Sequence, residues 1–271
     1  MSEFDKNKLK QLYKPASDSH KGQNGKLMII GGSHLFHAAS LWSLKVASRI
    51  VDMVFYSSVP ENNKLVEKEK DEFRDGIIVP REKIEHYIDE AECVLIGPGM
   101  PRKNGEENGD DDTKELTERL LSKYKDKKWV IDGGSLQVIN PSIIPPTAIL
   151  TPHHLEFQTL FNKEPIEENA VAMAKQYNLT ILLKGPTDIV TNGRETMRIE
   201  GGNAGMTKGG TGDVLAGLVA ALYSKNETFL TAIAASYINK KAGESLFKKM
   251  GIYFNASDLA DEIPVVMKDL I

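Results

Sequence analysis

The stretch that most constrains this chain runs from Gly201 to Asp213 (GGNAGMTKGGTGD) and leads directly into Val214-Leu215-Ala216-Gly217-Leu218-Val219-Ala220-Ala221-Leu222. Five glycines fall between positions 201 and 210, and a sixth is Gly212. Glycine loses more backbone freedom on ordering than any other residue, so this run is neither strand nor helix interior. The apolar segment after it reads as a helix, and its small residues Ala216, Gly217, Ala220 and Ala221 suit close packing against other elements. A glycine-rich turn feeding a helix makes an anion site, because unpaired N–H groups point outward and the helix dipole adds partial positive charge. Asp213 stands at the mouth of this site. An aspartate there is ordinarily a helix cap. A cap alone does not need Gly209, Gly210 and Gly212 around it, so the reading preferred is a catalytic base beside a phosphoryl-binding turn. The turn is not a Walker A loop, since no Gly-Lys-Ser/Thr follows the spacer and Lys208 precedes the glycines.

A length of 271 residues with 41% apolar content suits one large α/β domain spanning 1–271. The net charge of −4 gives no reason to expect nucleic acid as a partner. Cys93, the one cysteine, sits in the apolar run Cys93-Val94-Leu95-Ile96 and reads as a core residue. There is no apolar leader at the N-terminus and no uninterrupted apolar segment of membrane-spanning length, so the expected setting is reducing and cytoplasmic, away from membranes.

Along the chain, apolar runs at 27–30, 53–57, 77–79, 93–96, 129–131, 148–150 and 180–183 read as strands. Helical spacing recurs at 38–50, 82–92, 113–124, 167–177 and 229–250, with short helices at 135–139 and at the end of the chain. Met1 to Gly25 reads as a short helix plus connector, and the acidic run at 106–112 as a solvated loop without calcium-loop spacing. Asn192-Gly193 between 188–191 and 196–199 is a hairpin signal. Repeated strand–helix units predict a mostly parallel sheet with helices on both faces. Ser33, Gly99, Asp132, His153, Glu156 and Lys184 all follow predicted strands. Right-handed crossovers bring such strand ends to one edge, where ligands of open α/β sheets bind.

Each candidate has an ordinary alternative. Lys184 is either a snorkelling strand terminus or an ammonium beside phosphates, and the phosphate turn favours the second. His153 and His154 lack metal-ligand spacing, so no zinc site is expected; one contacts a substrate and the other starts a helix. Glu156 is either a charge complementing a helix dipole or an outer-shell ligand of magnesium. Asp132 is either a turn former or part of the site.

Lys21-Gly22, Gly31-Gly32-Ser33, Gly97-Pro98-Gly99, Thr151-Pro152-His153-His154-Leu155-Glu156-Phe157, Leu183-Lys184-Gly185-Pro186-Thr187-Asp188 and Gly201 to Gly217 occur in that order. Together they resemble the nucleotide-dependent NAD(P)H-hydrate dehydratase family of the ribokinase-like superfamily, over about residues 20 to 265. The resemblance implies a three-layer αβα sandwich with a mostly parallel central sheet. It implies that Ala39, Gly99, His153 and Asp213 line a pocket for hydrated nicotinamide. Lys184, Gly185, Pro186, Thr187 and Asp188, with Gly209, Gly210, Thr211 and Gly212, would hold ADP or ATP. Magnesium would accompany the nucleotide, and a homo-oligomer, in tetrameric form, is suggested. Two segments depart from the family pattern: Ala38-Ala39-Ser40 replaces Gly-Ala-Pro, and Asp132-Gly133-Gly134-Ser135-Leu136 replaces Asp-Ala-Asp-Ala-Leu. Both lie on the substrate side.

The implied reaction restores NADH or NADPH from the S epimer of its hydrate. Hydroxide is a poor leaving group, so the ring hydroxyl is first phosphorylated. Asp213 takes its proton, and the amides of Gly210 to Asp213, Gly210 and Gly212 among them, stabilise the charge on the transferring group. Two other functions fit parts of the sequence: a small-molecule kinase of the same fold, and a non-catalytic protein that senses adenylates or NAD(P).

Overall fold

The computed structural model describes residues 4–68, 75–102 and 108–271. Each predicted apolar run forms a strand: β1 (Lys26–Ile30), β2 (Met53–Ser57), β3 (Ile77–Ile78), β4 (Cys93–Ile96), β5 (Lys128–Ile131), β6 (Ala148–Leu150) and β7 (Thr180–Leu183). The hairpin follows as β8 (Asp188–Thr191) and β9 (Thr196–Ile199). The nine strands make one sheet in the order β3-β2-β1-β4-β5-β6-β7-β8-β9. Pairing is parallel from β3 through β7 and antiparallel at β7–β8 and β8–β9.

Continuous apolar strands arise because both faces of the sheet are covered. Alternate residues of each strand enter different cores. Leu27, Ile29, Val54, Tyr56, Leu95 and Val130 pack under α1 (His37–Ala47), α8 (Thr211–Tyr223), α9 (Thr228–Met250) and α10 (Ala256–Leu270). Met28, Ile30, Phe55, Val94, Ile96 and Ile131 pack under α3 (Ile84–Glu90), α4 (Thr113–Lys123), α5 (Gly133–Val138), α6 (His154–Phe161) and α7 (Glu167–Tyr177). Cys93 is fully buried, and burial pushes its thiol well above the ordinary range, so it is a core residue as expected. No helix among the described residues is long and apolar enough to cross a membrane.

α8 is buried along almost its whole length, and its small residues let α1 approach closely. A Cβ at Gly217 would lie 2.6 Å from both the Cα and the carbonyl oxygen of Ser43. Ser43 Oγ in turn donates to the Asp213 carbonyl at 2.7 Å, fixing the first turn of α8 to α1.

Two expectations are corrected, and one helix was not foreseen. A helix, α2 (Pro60–Lys68), fills the stretch after β2 that carried no helical signal. Its buried side is Asn62, Asn63 and Val66, so apolar periodicity had little to register. The closing helix is not short: α10 has 15 residues and continues through Pro264, held by the burial of Leu259, Ala260 and Ile263 and by an Asn255–Asp258 capping box. The acidic run is not simply solvated. Glu106 and Glu107 lie outside the described residues, but Asp110 accepts hydrogen bonds from the His34 backbone N–H (2.9 Å) and contacts its Nδ1 (2.7 Å). Asp111 pairs with Arg81 at 2.5 Å, and Asp112 caps α4 by accepting from the Glu115 N–H. The run is tied to the β1–α1 loop through His34 and to the segment after β3 through Arg81.

Candidate active site

Because β1 and β4 to β7 are parallel, their C-terminal ends lie on one edge of the sheet, and the N-terminus of α8 reaches the same edge. The glycine-rich stretch is held from several sides. Asn203 Oδ1 accepts from the Gly205 N–H (2.9 Å) and its Nδ2 donates to the Gly243 carbonyl (2.8 Å). Thr211 Oγ1 donates to the Met206 (2.6 Å) and Lys208 (2.9 Å) carbonyls. Lys208 Nζ donates to the carbonyls of Ile252 and Phe254, so its ammonium anchors the turn rather than serving as a Walker-type lysine.

Gly210 is the residue preceding the helix, with φ +93°, and a Cβ there would meet the Trp42 ring at 2.3 Å. Only glycine satisfies both conditions. The Thr211 N–H turns back to the Lys208 carbonyl at 3.3 Å. The N–H groups of Gly210 and Gly212 take no acceptor among the described residues. Asp213 lies within the first turn, two residues past the helix start, and does not cap α8, whose capping position is Gly210. No other described residue hydrogen-bonds its carboxylate. The ordinary explanation for Asp213 is thereby removed.

Four charged groups converge beside this turn. Lys184, just after β7, donates Nζ to Asp132 Oδ1 at 2.8 Å and lies 3.8 Å from Glu156 Oε2. Asp132 also accepts from Thr151 Oγ1 at 2.8 Å. Burial alone would lower the Lys184 ammonium, but the charges of Asp132 and Glu156 outweigh it and hold it firmly protonated. Burial pushes Asp213 up to about 7, reinforced by Asp132 and relieved in part by Lys184. Glu156 is raised for the same first reason, burial. Three carboxylates thus share one ammonium.

His153 and Glu156 form a capping box at the start of α6. The His153 N–H donates to Glu156 Oε2 (2.8 Å), and the Glu156 N–H donates to His153 Nδ1 (3.2 Å). Burial and the neighbouring Lys184 lower the His153 imidazole, which favours its neutral form. His153 therefore caps α6 and faces the site, whereas His154 is the first residue of the helix.

Two cavities of about 670 Å³ each open on this edge. The first is lined by Ala39, Gly99, His153, Asp213, Gly209 and Gly210, and also by Asp132 and Glu156. Gly99 adopts φ +70° and a Cβ there would strike the Phe36 carbonyl at 2.5 Å and Ala39 at 2.9 Å, which is how two distant positions share one wall. The second is lined by Gly185, Pro186, Asp188, Gly201, Gly202 and Leu215. The cavities meet at His153, Lys184, Met206, Thr207, Thr211 and Gly212, whereas Asp213 faces only the first. Thr187 lines neither. Asp188 is buried with both oxygens engaged, accepting from the Gly185 N–H (2.9 Å) and Ser236 Oγ (2.7 Å), so it shapes the loop at 185–187.

Sequence reasoning overlooked Trp42 and Arg102 in the first cavity and Asn239 and Lys240 in the second. Lys240 Nζ donates to the carbonyls of Gly185 (3.1 Å) and Pro186 (3.0 Å), and these two α9 residues sit mid-helix, away from the strand ends where candidates were sought. The departure at position 134 has a local cause: a Cβ there would lie 2.1 Å from the Met100 carbonyl.

The family described as NAD(P)H-hydrate dehydratase matches residues 27–265. An ADP-dependent (S)-NAD(P)H-hydrate dehydratase from Nitrosopumilus maritimus is 34% identical over 275 residues, covering 93% of this chain and 91% of that protein. A bifunctional NAD(P)H-hydrate repair enzyme from Methanocaldococcus jannaschii is 38% identical over 96% of this chain, which spans about half (51%) of that longer protein. The ADP/ATP-dependent NAD(P)H-hydrate dehydratase of Bacillus subtilis, co-crystallised with ATP and Mg2+, superposes with a TM-score of 0.81 at 20% identity over 99% of this chain and 98% of that one. That likeness bears on the fold, which is the expected ribokinase-like three-layer sandwich. With the match extending over nearly the whole sheet and both cavities, the chain belongs to the NAD(P)H-hydrate dehydratase family.

Proposed function

We propose that this protein uses ADP or ATP to dehydrate the S epimer of hydrated NADH or NADPH, returning the reduced dinucleotide with AMP or ADP and phosphate. The observation that carries the reading is the junction of the two cavities. The N–H of Gly212 and the ammonium of Lys184 stand at the junction, and the unpartnered Asp213 carboxylate faces only the first cavity. A nucleotide in the second cavity would present its terminal phosphate at the junction. A hydroxyl in the first would lie on the far side, beside the base.

The chemistry follows from that placement. Asp213 takes the proton of the ring hydroxyl as its oxygen attacks the terminal phosphorus, a contribution of about 10²–10⁴-fold. The free amides of Gly210 and Gly212, with Lys184, hold the charge of the transferring group. Phosphate then departs, expelled by the lone pair of the ring nitrogen, and loss of a proton from the adjacent carbon restores the ring double bond. The walls need only exclude water.

Magnesium fits the residues present. Among the described residues no cluster of three or more ligands forms a closed cage, and a nucleotide-bound magnesium keeps most of its waters and needs only one or two carboxylates. When ionised, Asp132, Glu156 and Asp213 would carry more negative charge than Lys184 neutralises, which a divalent cation would relieve. Glu156 and Asp132 would hold it through water, and bound there it would neutralise charge on the nucleotide phosphates. In this reading 1–271 is a single domain acting in the cytoplasm as a homo-oligomer, a tetramer being the form suggested by family resemblance.

The test is to supply hydrated NADH with ADP or ATP and magnesium and follow dihydronicotinamide absorbance. Recovery dependent on nucleotide is expected. A stable phosphorylated product would instead identify a kinase, and nucleotide binding without phosphate release on any acceptor would identify a sensor.

A further inference from the structure

The lysines and arginines in the wall of the first cavity are Lys184, Lys208 and Arg102. Two of them are engaged. Lys184 Nζ donates to Asp132, and Lys208 Nζ donates to the carbonyls of Ile252 and Phe254. Arg102, in the loop after β4, makes no hydrogen bond or ion pair among the described residues. The chain beside it brings no carboxylate: a Cβ at Gly134 would stand 3.0 Å from the Pro101 carbonyl, and glycine there offers no side chain to pair with. Burial is the main influence on His153 and Glu156, but the charge of Arg102 also reaches both, so the guanidinium stands within electrostatic range of the start of α6.

The same cavity is lined by the carboxyl groups of Asp132, Glu156 and Asp213. Where ionised, these tolerate an uncharged ring and repel an anion. The proposed substrate has both parts. Its hydrated ring is neutral, and a pyrophosphate joins its two nucleoside halves. An anion of that kind needs a cation at the point where it meets an acidic cleft. A guanidinium suits the task, because it stays charged and its planar fork of donors matches two phosphate oxygens at once.

We infer that Arg102 binds the pyrophosphate of the hydrated dinucleotide and so selects the dinucleotide over smaller molecules bearing the same ring. The inference rests on the first cavity holding the hydrate. Arg102 lines that cavity and not the second, so the phosphates it meets are those of the substrate and not those of the phosphoryl donor. The contact lies away from the reacting hydroxyl beside Asp213. It therefore acts through substrate binding and takes no part in the transfer itself.

The test compares kcat/KM for hydrated NADH with that for the hydrate of reduced nicotinamide riboside, which keeps the ring and its ribose and has no phosphate. Wild type should prefer the dinucleotide. Arg102→Gln should cut that preference roughly tenfold, the scale of a hydrogen-bonded contact between charged groups. Arg102→Lys keeps the charge without the fork and should cut it by less. An arginine with a merely structural role would lower both substrates together and hold the ratio. ADP affinity, read by calorimetry, should stay within about twofold in both variants, because Arg102 does not line the second cavity. A preference unchanged within about twofold in Arg102→Gln would overturn the inference and leave the functional reading intact. ADP binding weakened as much as dinucleotide turnover would do the same, since it would place Arg102 on the donor. A wild type that dehydrates neither hydrate would overturn both.

Discussion

At the scale of single residues, Asp213 separates two explanations that the sequence alone left standing. A capping aspartate supports stability, and its loss typically costs about 0.5–2 kcal/mol without touching chemistry. Asp213 caps nothing, because Gly210 occupies that position and no other described residue donates to its carboxylate. Asp213→Asn should therefore lower turnover by at least roughly 10²-fold while nucleotide binding persists. Turnover within about threefold of wild type would contradict the role. The acid range gives a second check. Burial, with Asp132 next to it, raises Asp213 to about 7, and a base works only when deprotonated. As pH falls through about 7, kcat/KM of the free enzyme should drop about tenfold per unit. A profile flat down to about pH 5, where an ordinary aspartate is still charged, would show that another group limits the rate.

At the scale of elements, the site depends on how closely α1 and α8 pack. Gly217 lets the helices approach, and Ser43 anchors the first turn of α8 through the Asp213 carbonyl. Gly217→Val forces a side chain against backbone that has no room to yield, and should destabilise the fold by about 1–3 kcal/mol, seen as a lowered Tm. An unchanged Tm would mean that the helices separate freely. The small residues of α8 announced this contact in the sequence, and the strands were readable because continuous apolar runs have few other uses. α2 was not readable, since its buried side is mainly two asparagines. The ties between His34 and Asp110 and between Arg81 and Asp111 were equally hidden, because each partner is an ordinary charged residue until the fold joins them.

At the scale of the whole molecule, the parallel sheet turns dispersed strand ends into one edge, and the edge into two cavities sharing a boundary. Gly99, Asp132, His153, Glu156 and Lys184 were legible as site residues because each follows a strand. Asn239 and Lys240 were not, because a polar residue within a long helix looks like solvent-facing surface until α9 is laid over β7 and β8. The proposed reaction requires direct passage of a phosphoryl group from the second cavity to a hydroxyl in the first. Hydrated NADH bearing ¹⁸O in its ring hydroxyl, turned over with unlabelled nucleotide in ordinary water, tests that passage most directly. The label is expected in the released phosphate. Phosphate carrying only unlabelled oxygen, with the ¹⁸O lost to water, would contradict it.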